Sequence, residues 1–146
     1  MDFSGKLLKI IIILSVVFIL SALAANMLIS SLLIFDVQET KMDIKVIEEN
    51  VVGLNIDTDA IHFGKVQRGA EGIRNITVTN DDSRPHLIQA KAYGNISGFV
   101  YMSENNFVLG SHEARNLSVM ARPPIDAALG YYDGTLQILF LNIYAR

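Results

Sequence analysis

The sequence predicts an N-terminal single transmembrane α-helix followed by an all-β antiparallel sandwich. Three observations predict it: a long uncharged apolar run near the N-terminus, period-two alternation through the remainder, and turn-forming clusters between the alternating stretches. The chain has 146 residues, which allows one ordinary domain plus an appendage.

The apolar run extends from Leu7 to Phe35 and is interrupted by Lys9, Ser15, Ser21, Asn26, Ser30 and Ser31. From Ile10 to Phe35 no residue is charged. As a helix this stretch rises ~39 Å, enough to cross a ~30 Å hydrocarbon core with tilt. A soluble helix keeps one polar face, and this run has none. Residues 1–35 therefore read as a cytoplasmic tip and membrane span. Lys6 and Lys9 precede the span, whereas Asp36, Glu39, Lys41, Asp43, Lys45, Glu48 and Glu49 follow it. Positive charge on the short N-terminal side places the N-terminus in the cytoplasm and the remainder outside, at the cell membrane. Ala22-Leu23-Ala24 would also suit a cleavable signal peptide, although apolar sequence continues to Phe35 beyond it. A prepilin-type leader fits less well, because Lys6 and Lys9 follow Gly5 instead of preceding it.

Residues 36–53 are expected to be a juxtamembrane stalk. Met42, Ile44 and Val46 alternate there with Asp43, Lys45 and Ile47, which also fits an extra strand. From 54 to 146 alternation dominates. Leu54 and Ile56, Ile61 and Phe63, Ile76 and Val78, Ile88 with Ala90 and Ala92, Leu117 with Val119 and Ala121, and Leu136 with Ile138 and Phe140 each form one side of a strand. Period two repeated this often describes half-buried strands. Asn80-Asp81-Asp82-Ser83, Gly94-Asn95, Glu104-Asn105-Asn106, Leu109-Gly110-Ser111 and Asp133-Gly134 supply the turns. Short strands at this spacing make an antiparallel sandwich.

Within this part, His62-Phe63-Gly64-Lys65-Val66, Arg68-Gly69 and Arg74-Asn75-Ile76-Thr77-Val78-Thr79-Asn80 resemble the opening strands of immunoglobulin-like modules of the ASH and major-sperm-protein kind. Leu117-Ser118-Val119, Pro123, Gly130 and Tyr132-Asp133-Gly134-Thr135-Leu136-Gln137-Ile138 resemble their closing strands. The whole chain resembles archaeal-type membrane-anchored surface proteins with one span and one such sandwich. The resemblance implies an immunoglobulin-like fold over 54–146 and a spacer, scaffold or adhesive role.

The chemistry-bearing residues point away from catalysis. There is no cysteine, hence no disulfide, thiolate site or thiol nucleophile. No nucleophile elbow, H-E-x-x-H or phosphate loop occurs. A net charge of −3 gives no footprint for nucleic acid. His62, His86 and His112 lie far apart in sequence and are expected to be solvated surface histidines; no metal or other cofactor is expected. Asp57-Thr58-Asp59 and Asp81-Asp82 offer carboxylates of the kind calcium takes, without a complete calcium loop. Asn75-Ile76-Thr77, Asn95-Ile96-Ser97 and Asn116-Leu117-Ser118 are N-x-[ST] sequons, making Asn75, Asn95 and Asn116 candidate glycan acceptors on an external domain.

One pattern needs a cover. After Gly134, outward Leu139, Leu141 and Ile143 alternate with inward Leu136, Ile138 and Phe140. Exposed apolar residues on a terminal strand are costly unless covered. Either the stalk or the neighbouring sheet wraps over them, or they form a docking edge for a partner or second copy, by strand addition or face packing. The expected function is a non-enzymatic, membrane-anchored extracytoplasmic structural or interaction module. Its partners are membrane lipid and a protein or a second copy, with no small-molecule substrate. A pilin- or archaellin-like filament subunit and an accessory subunit of a membrane enzyme complex are the alternatives.

Overall fold

A computed structural model describes residues 3–48 and 59–143. The uncharged run forms one helix, α1 (Phe3–Leu33), whose apolar stretch Lys6–Ile29 is long enough to cross a membrane and is 0% buried by the rest of the chain. Its hydroxyls turn back on the helix: Ser15 Oγ donates to the Ile11 carbonyl at 2.9 Å and Ser21 Oγ to the Phe18 carbonyl at 2.8 Å. Polar side chains in an apolar setting are satisfied in this way, without water.

Strand β1 (Ile34–Ile47) begins at the residue after the helix ends. The other strands are β2 (Ile61–Gln67), β3 (Gly72–Thr79), β4 (His86–Gly94), β5 (Val100–Met102), β6 (Phe107–Leu109), β7 (Ala114–Ala121) and β8 (Gly130–Asn142). They form two sheets, one of five strands ordered β2-β1-β8-β4-β6 and one of three ordered β3-β7-β5. The chain is thus one N-terminal apolar helix followed by a β-sandwich, as its periodicity predicts.

The core between the sheets is built from the inward rows anticipated from alternation. Ile88, Leu117, Val119 and Ala121 are 0% exposed, and Val78, Leu136 and Phe140 are nearly so. Three departures stand out. The stalk expected over 36–53 is, as far as residue 47, a strand of the sandwich. Met42, Ile44 and Val46 belong to the buried interior, and β1 pairs with β8 from Ile34↔Leu141 to Val46↔Gly130. Burying those three apolar side chains favours the sheet over a solvated stalk. Residues 49–53 of the expected stalk, and the Leu54–Ile56 alternation, lie outside the described residues.

The second departure is direction. β1 and β2 run parallel, from Met42↔Ile61 to Ile47↔Gln67, whereas every other pairing is antiparallel. Parallel neighbours need a connection of about a dozen residues or more, and thirteen residues, 48–60, separate the end of β1 from the start of β2 in the sequence. Between Asp43 and Lys45 the register slips by one residue, where Gly64 adopts φ +74°. A bulge of this form requires the left-handed region that glycine enters without strain.

Third, β8 is the central strand of its sheet, although it is the last in the sequence. At its start it crosses β4 closely: a Cβ on Gly134 would stand 2.0 Å from the Tyr93 carbonyl oxygen and 2.7 Å from Ile96. Only a hydrogen fits there.

Candidate interaction surface

The central position of β8 changes the meaning of Leu139, Leu141 and Ile143. Both hydrogen-bonding edges of β8 are occupied, by β1 and β4, so strand addition at this strand is excluded and the docking-edge expectation is corrected on that point. Leu139 and Leu141 instead lie on the outer face of the five-stranded sheet, half-buried by neighbours; Ile143 follows the strand and is also half-buried.

Cross-strand register orders that face into rows. The row nearest the helix is Ile34, Leu141, Leu87 and Val108, contributed by β1, β8, β4 and β6 in turn. Val37, Leu139 and Gln89 form the second row, Glu39, Gln137 and Lys91 the third, Lys41, Thr135 and Tyr93 the fourth. Beyond them Asp43 stands beside Asp133 and His62. The face is therefore graded: apolar in the two rows nearest the helix, apart from Gln89, and carrying charged residues from the third row onward. Val108 is 50% exposed, Val37 38% and Ile34 36%. Sequence inspection found only the β8 members, because the other members come from strands far apart along the chain.

Side chains cover parts of the sheet edges. Arg74 on β3 donates from Nε to the His62 carbonyl at 2.7 Å and from Nη2 to the Phe63 carbonyl at 3.4 Å, tying the outer strand of one sheet to the outer strand of the other. Beside β6, the Asn105 side chain acts as a further residue of the ladder. Its Oδ1 accepts from Ala90 N–H at 2.8 Å and its Nδ2 donates to the Ala90 carbonyl at 2.9 Å.

The histidines differ from expectation in two of three cases. His86 is fully buried, its ring stacked on Phe35 with centroids 4.3 Å apart and its Nε2 2.9 Å from Asp82 Oδ2. Phe35 comes from the helix–strand junction, so only tertiary packing brings the two rings together. That contact with His86, followed by bonds to Ser83 and the charge of Arg84, holds the Asp82 carboxyl below the usual range. His62 is half-buried on the outer face, its Nε2 3.4 Å from Asp59 Oδ1 and its Nδ1 bonded to Asp43. The Asp59 and Asp43 carboxylates raise the His62 pKa above 6.5, against an opposing effect of burial. His112 is exposed, as expected, in a turn at φ +54°.

Among the described residues no three His, Cys, Asp or Glu side chains stand together as a metal site. Asp57 and Thr58 lie outside those residues. Asp81 and Asp82 line a cavity of about 340 Å³ at the helix end, together with Phe35, Asp36, Gln38, Thr79, Asn80 and Phe140. Asp82 is already bonded to Ser83 and His86. Asn80, 1% exposed, holds the β3–β4 turn by donating to the Arg84 and Gly110 carbonyls, both at 2.8 Å.

Asn75, Asn95 and Asn116 are all exposed. Asn75 and Asn116 lie on adjacent strands, and their sequons bond across the sheet: Ser118 Oγ donates to Asn75 Oδ1 at 2.9 Å and Thr77 Oγ1 to Asn116 Oδ1 at 2.8 Å. Asn95 Oδ1 accepts from Asp133 N–H at 2.6 Å.

No protein-family model and no curated protein matches the chain, so the resemblance to ASH and major-sperm-protein modules and to archaeal surface proteins gains no support from either. Among solved structures, the chain is similar to DraE adhesin in complex with chloramphenicol succinate, at 12% identity and a TM-score of 0.44, over 74% of this chain and 96% of that one. DraE adhesin in complex with bromamphenicol aligns at 16% identity and a TM-score of 0.36, over 71% and 93%. Likeness at this level carries nothing about function.

Proposed function

We propose that this chain is a single-pass membrane protein whose helix holds the sandwich at the outer surface of the cell membrane. The sandwich serves as a non-enzymatic structural or interaction module that braces a membrane or cell-surface complex. The observation that carries this reading is an apolar helix whose stretch Lys6–Ile29 is not buried by the rest of the described chain and which joins β1 without an intervening residue. Such a rod is unstable in water and requires apolar surroundings. Lys6 and Lys9 before the span favour an internal N-terminus. The division of labour is a cytoplasmic tip with a lipid-embedded span in α1, and a sandwich that contains β1 as well as 54–146.

Alkaline carbonate washing and protease accessibility test this reading. The protein is expected to stay with the membrane, and added protease is expected to digest the sandwich in whole cells while sparing it in inverted vesicles. Release by carbonate, or the opposite protease pattern, overturns it. The uncovered helix also suits a pilin-like filament core; purification of polymers with N-terminal processing after Gly5 would establish that alternative. An accessory-subunit role is distinguished by stoichiometric co-purification with an enzyme in mild detergent. On an external domain, Asn75, Asn95 and Asn116 are acceptors for glycans, and at least one is expected to be occupied. The intact mass of protein from its native membranes should then exceed the 16.1 kDa of the polypeptide.

A further inference from the structure

We infer that the apolar end of the five-stranded sheet's outer face rests in the headgroup layer of the same bilayer that α1 crosses, so that the domain is held by helix and face together. This rests on the membrane-anchor reading above. The first support is the absence of a linker: Leu33 ends the helix and Ile34 begins β1. Asn142 at the end of β8 donates from Nδ2 to the Leu32 carbonyl at 3.0 Å, which ties the sheet to the last helical turn. The first row of the face is therefore level with the helix end.

Depth gives the second support. A ~30 Å hydrocarbon core centred on the uncharged run Ile10–Phe35 ends near Leu32, and the interfacial layer beyond it adds ~5–8 Å. That layer takes in Ile34, Leu141, Leu87 and Val108 and reaches towards Val37 and Leu139. The first charged row, with Glu39 and Lys91, lies two rows further, ~13 Å at the strand rise, and so in water. The change from apolar to charged thus falls where the bilayer ends.

Continuity is the third. Leu32, Leu33, Ile34 and Val37 are exposed along one flank, whereas Phe35 and Asp36 between them turn with Gln38 to the other side of β1, where all three line the basal cavity. That other side carries Asp36, Asp81 and Asp82 around the basal cavity. One flank of the base is apolar and the opposite flank acidic, which sets the direction of lean: outer face towards lipid, acidic mouth towards water. Apolar surface entering the headgroup boundary in this way is how interfacial elements bind membranes.

The natural chain has no cysteine, so single-cysteine variants report one site each. The full-length variants Val108→Cys, Leu20→Cys and Tyr131→Cys, labelled with a small environment-sensitive fluorophore, are reconstituted in phosphatidylcholine vesicles containing headgroup-proximal or chain-attached nitroxide lipid. Tyr131 is 74% exposed at the far end of the domain and serves as the aqueous control. The expected result is loss of fluorescence at position 108 with headgroup-proximal nitroxide, loss at position 20 with chain-attached nitroxide, and none at position 131. This should persist on dilution of protein in lipid. Quenching at 20 without quenching at 108 overturns the inference and leaves the anchor reading intact; no quenching at 20 overturns both. Shielding of position 108 that disappears on dilution shows a second copy covering the face, which also overturns the inference.

Discussion

Replacing Ile44 by alanine tests whether the segment after the helix is a strand of the core or a tether. Ile44 is 0% exposed and sits in one cluster with Ile61, Val119 and Leu136. Removing a buried isoleucine to alanine costs about 2–5 kcal/mol, because transfer and cavity terms add. With a mid-range loss of ~3 kcal/mol and a urea slope of ~2 kcal/mol per molar, the unfolding midpoint should fall by roughly 1.5 M. Ile73→Ala is the matched control, since Ile73 on β3 is 49% exposed and a substitution of that kind costs about 0.5 kcal/mol or less. All five tyrosines lie at or beyond residue 93. Tyrosine fluorescence of the full chain in detergent therefore follows the sandwich without interference from the helix. A midpoint for Ile44→Ala within error of the Ile73→Ala control would show that residues 34–47 do not belong to the core, and the reasoning on β1 would fall with it.

Gly134→Ala should destabilise the sandwich by about 1–3 kcal/mol or more, since the added methyl meets the Tyr93 carbonyl and Ile96 where β8 crosses β4; a midpoint unchanged in the same urea titration would contradict this. Asn80→Ala removes the donor to the Arg84 and Gly110 carbonyls and should cost about 1–3 kcal/mol. Faster proteolysis within residues 80–85 is the accompanying sign. The raised pKa of His62 has a directional consequence. A group whose folded pKa exceeds its unfolded value of 6.5 stabilises fully below that value and loses its contribution as pH rises through the folded one. Thermal melts of the full chain between pH 5.5 and 9 should therefore show a fall in melting temperature that His62→Gln lacks. Parallel profiles for the two proteins would rule out this contribution.

Much of the architecture is legible along the chain because it rests on local periodicity. The uncharged run from Ile10 predicts an apolar helix because it offers no polar face, and α1 follows it as far as Leu33, where β1 takes over the last two residues of the run. Leu117, Val119 and Ala121, and likewise Leu136, Ile138 and Phe140, announce an inward side because successive strand side chains point to opposite faces. What pairs with what is a different matter, since it depends on contacts between distant segments. Met42, Ile44 and Val46 hint at a strand by alternation, but residues 34–41 carry no clean alternation, so that half of β1 is recognised only once β8, about a hundred residues later, lies beside it. His86 reads as a surface histidine until Phe35 stacks on its ring. Leu139 and Leu141 suggest an exposed edge until β1 and β4 flank them, and the apolar row that Leu141 joins draws Ile34, Leu87 and Val108 from three other strands. Side-chain alternation is a property of one strand, whereas edges, burial of single polar groups and composite surfaces arise from strand order, which only the folded chain decides.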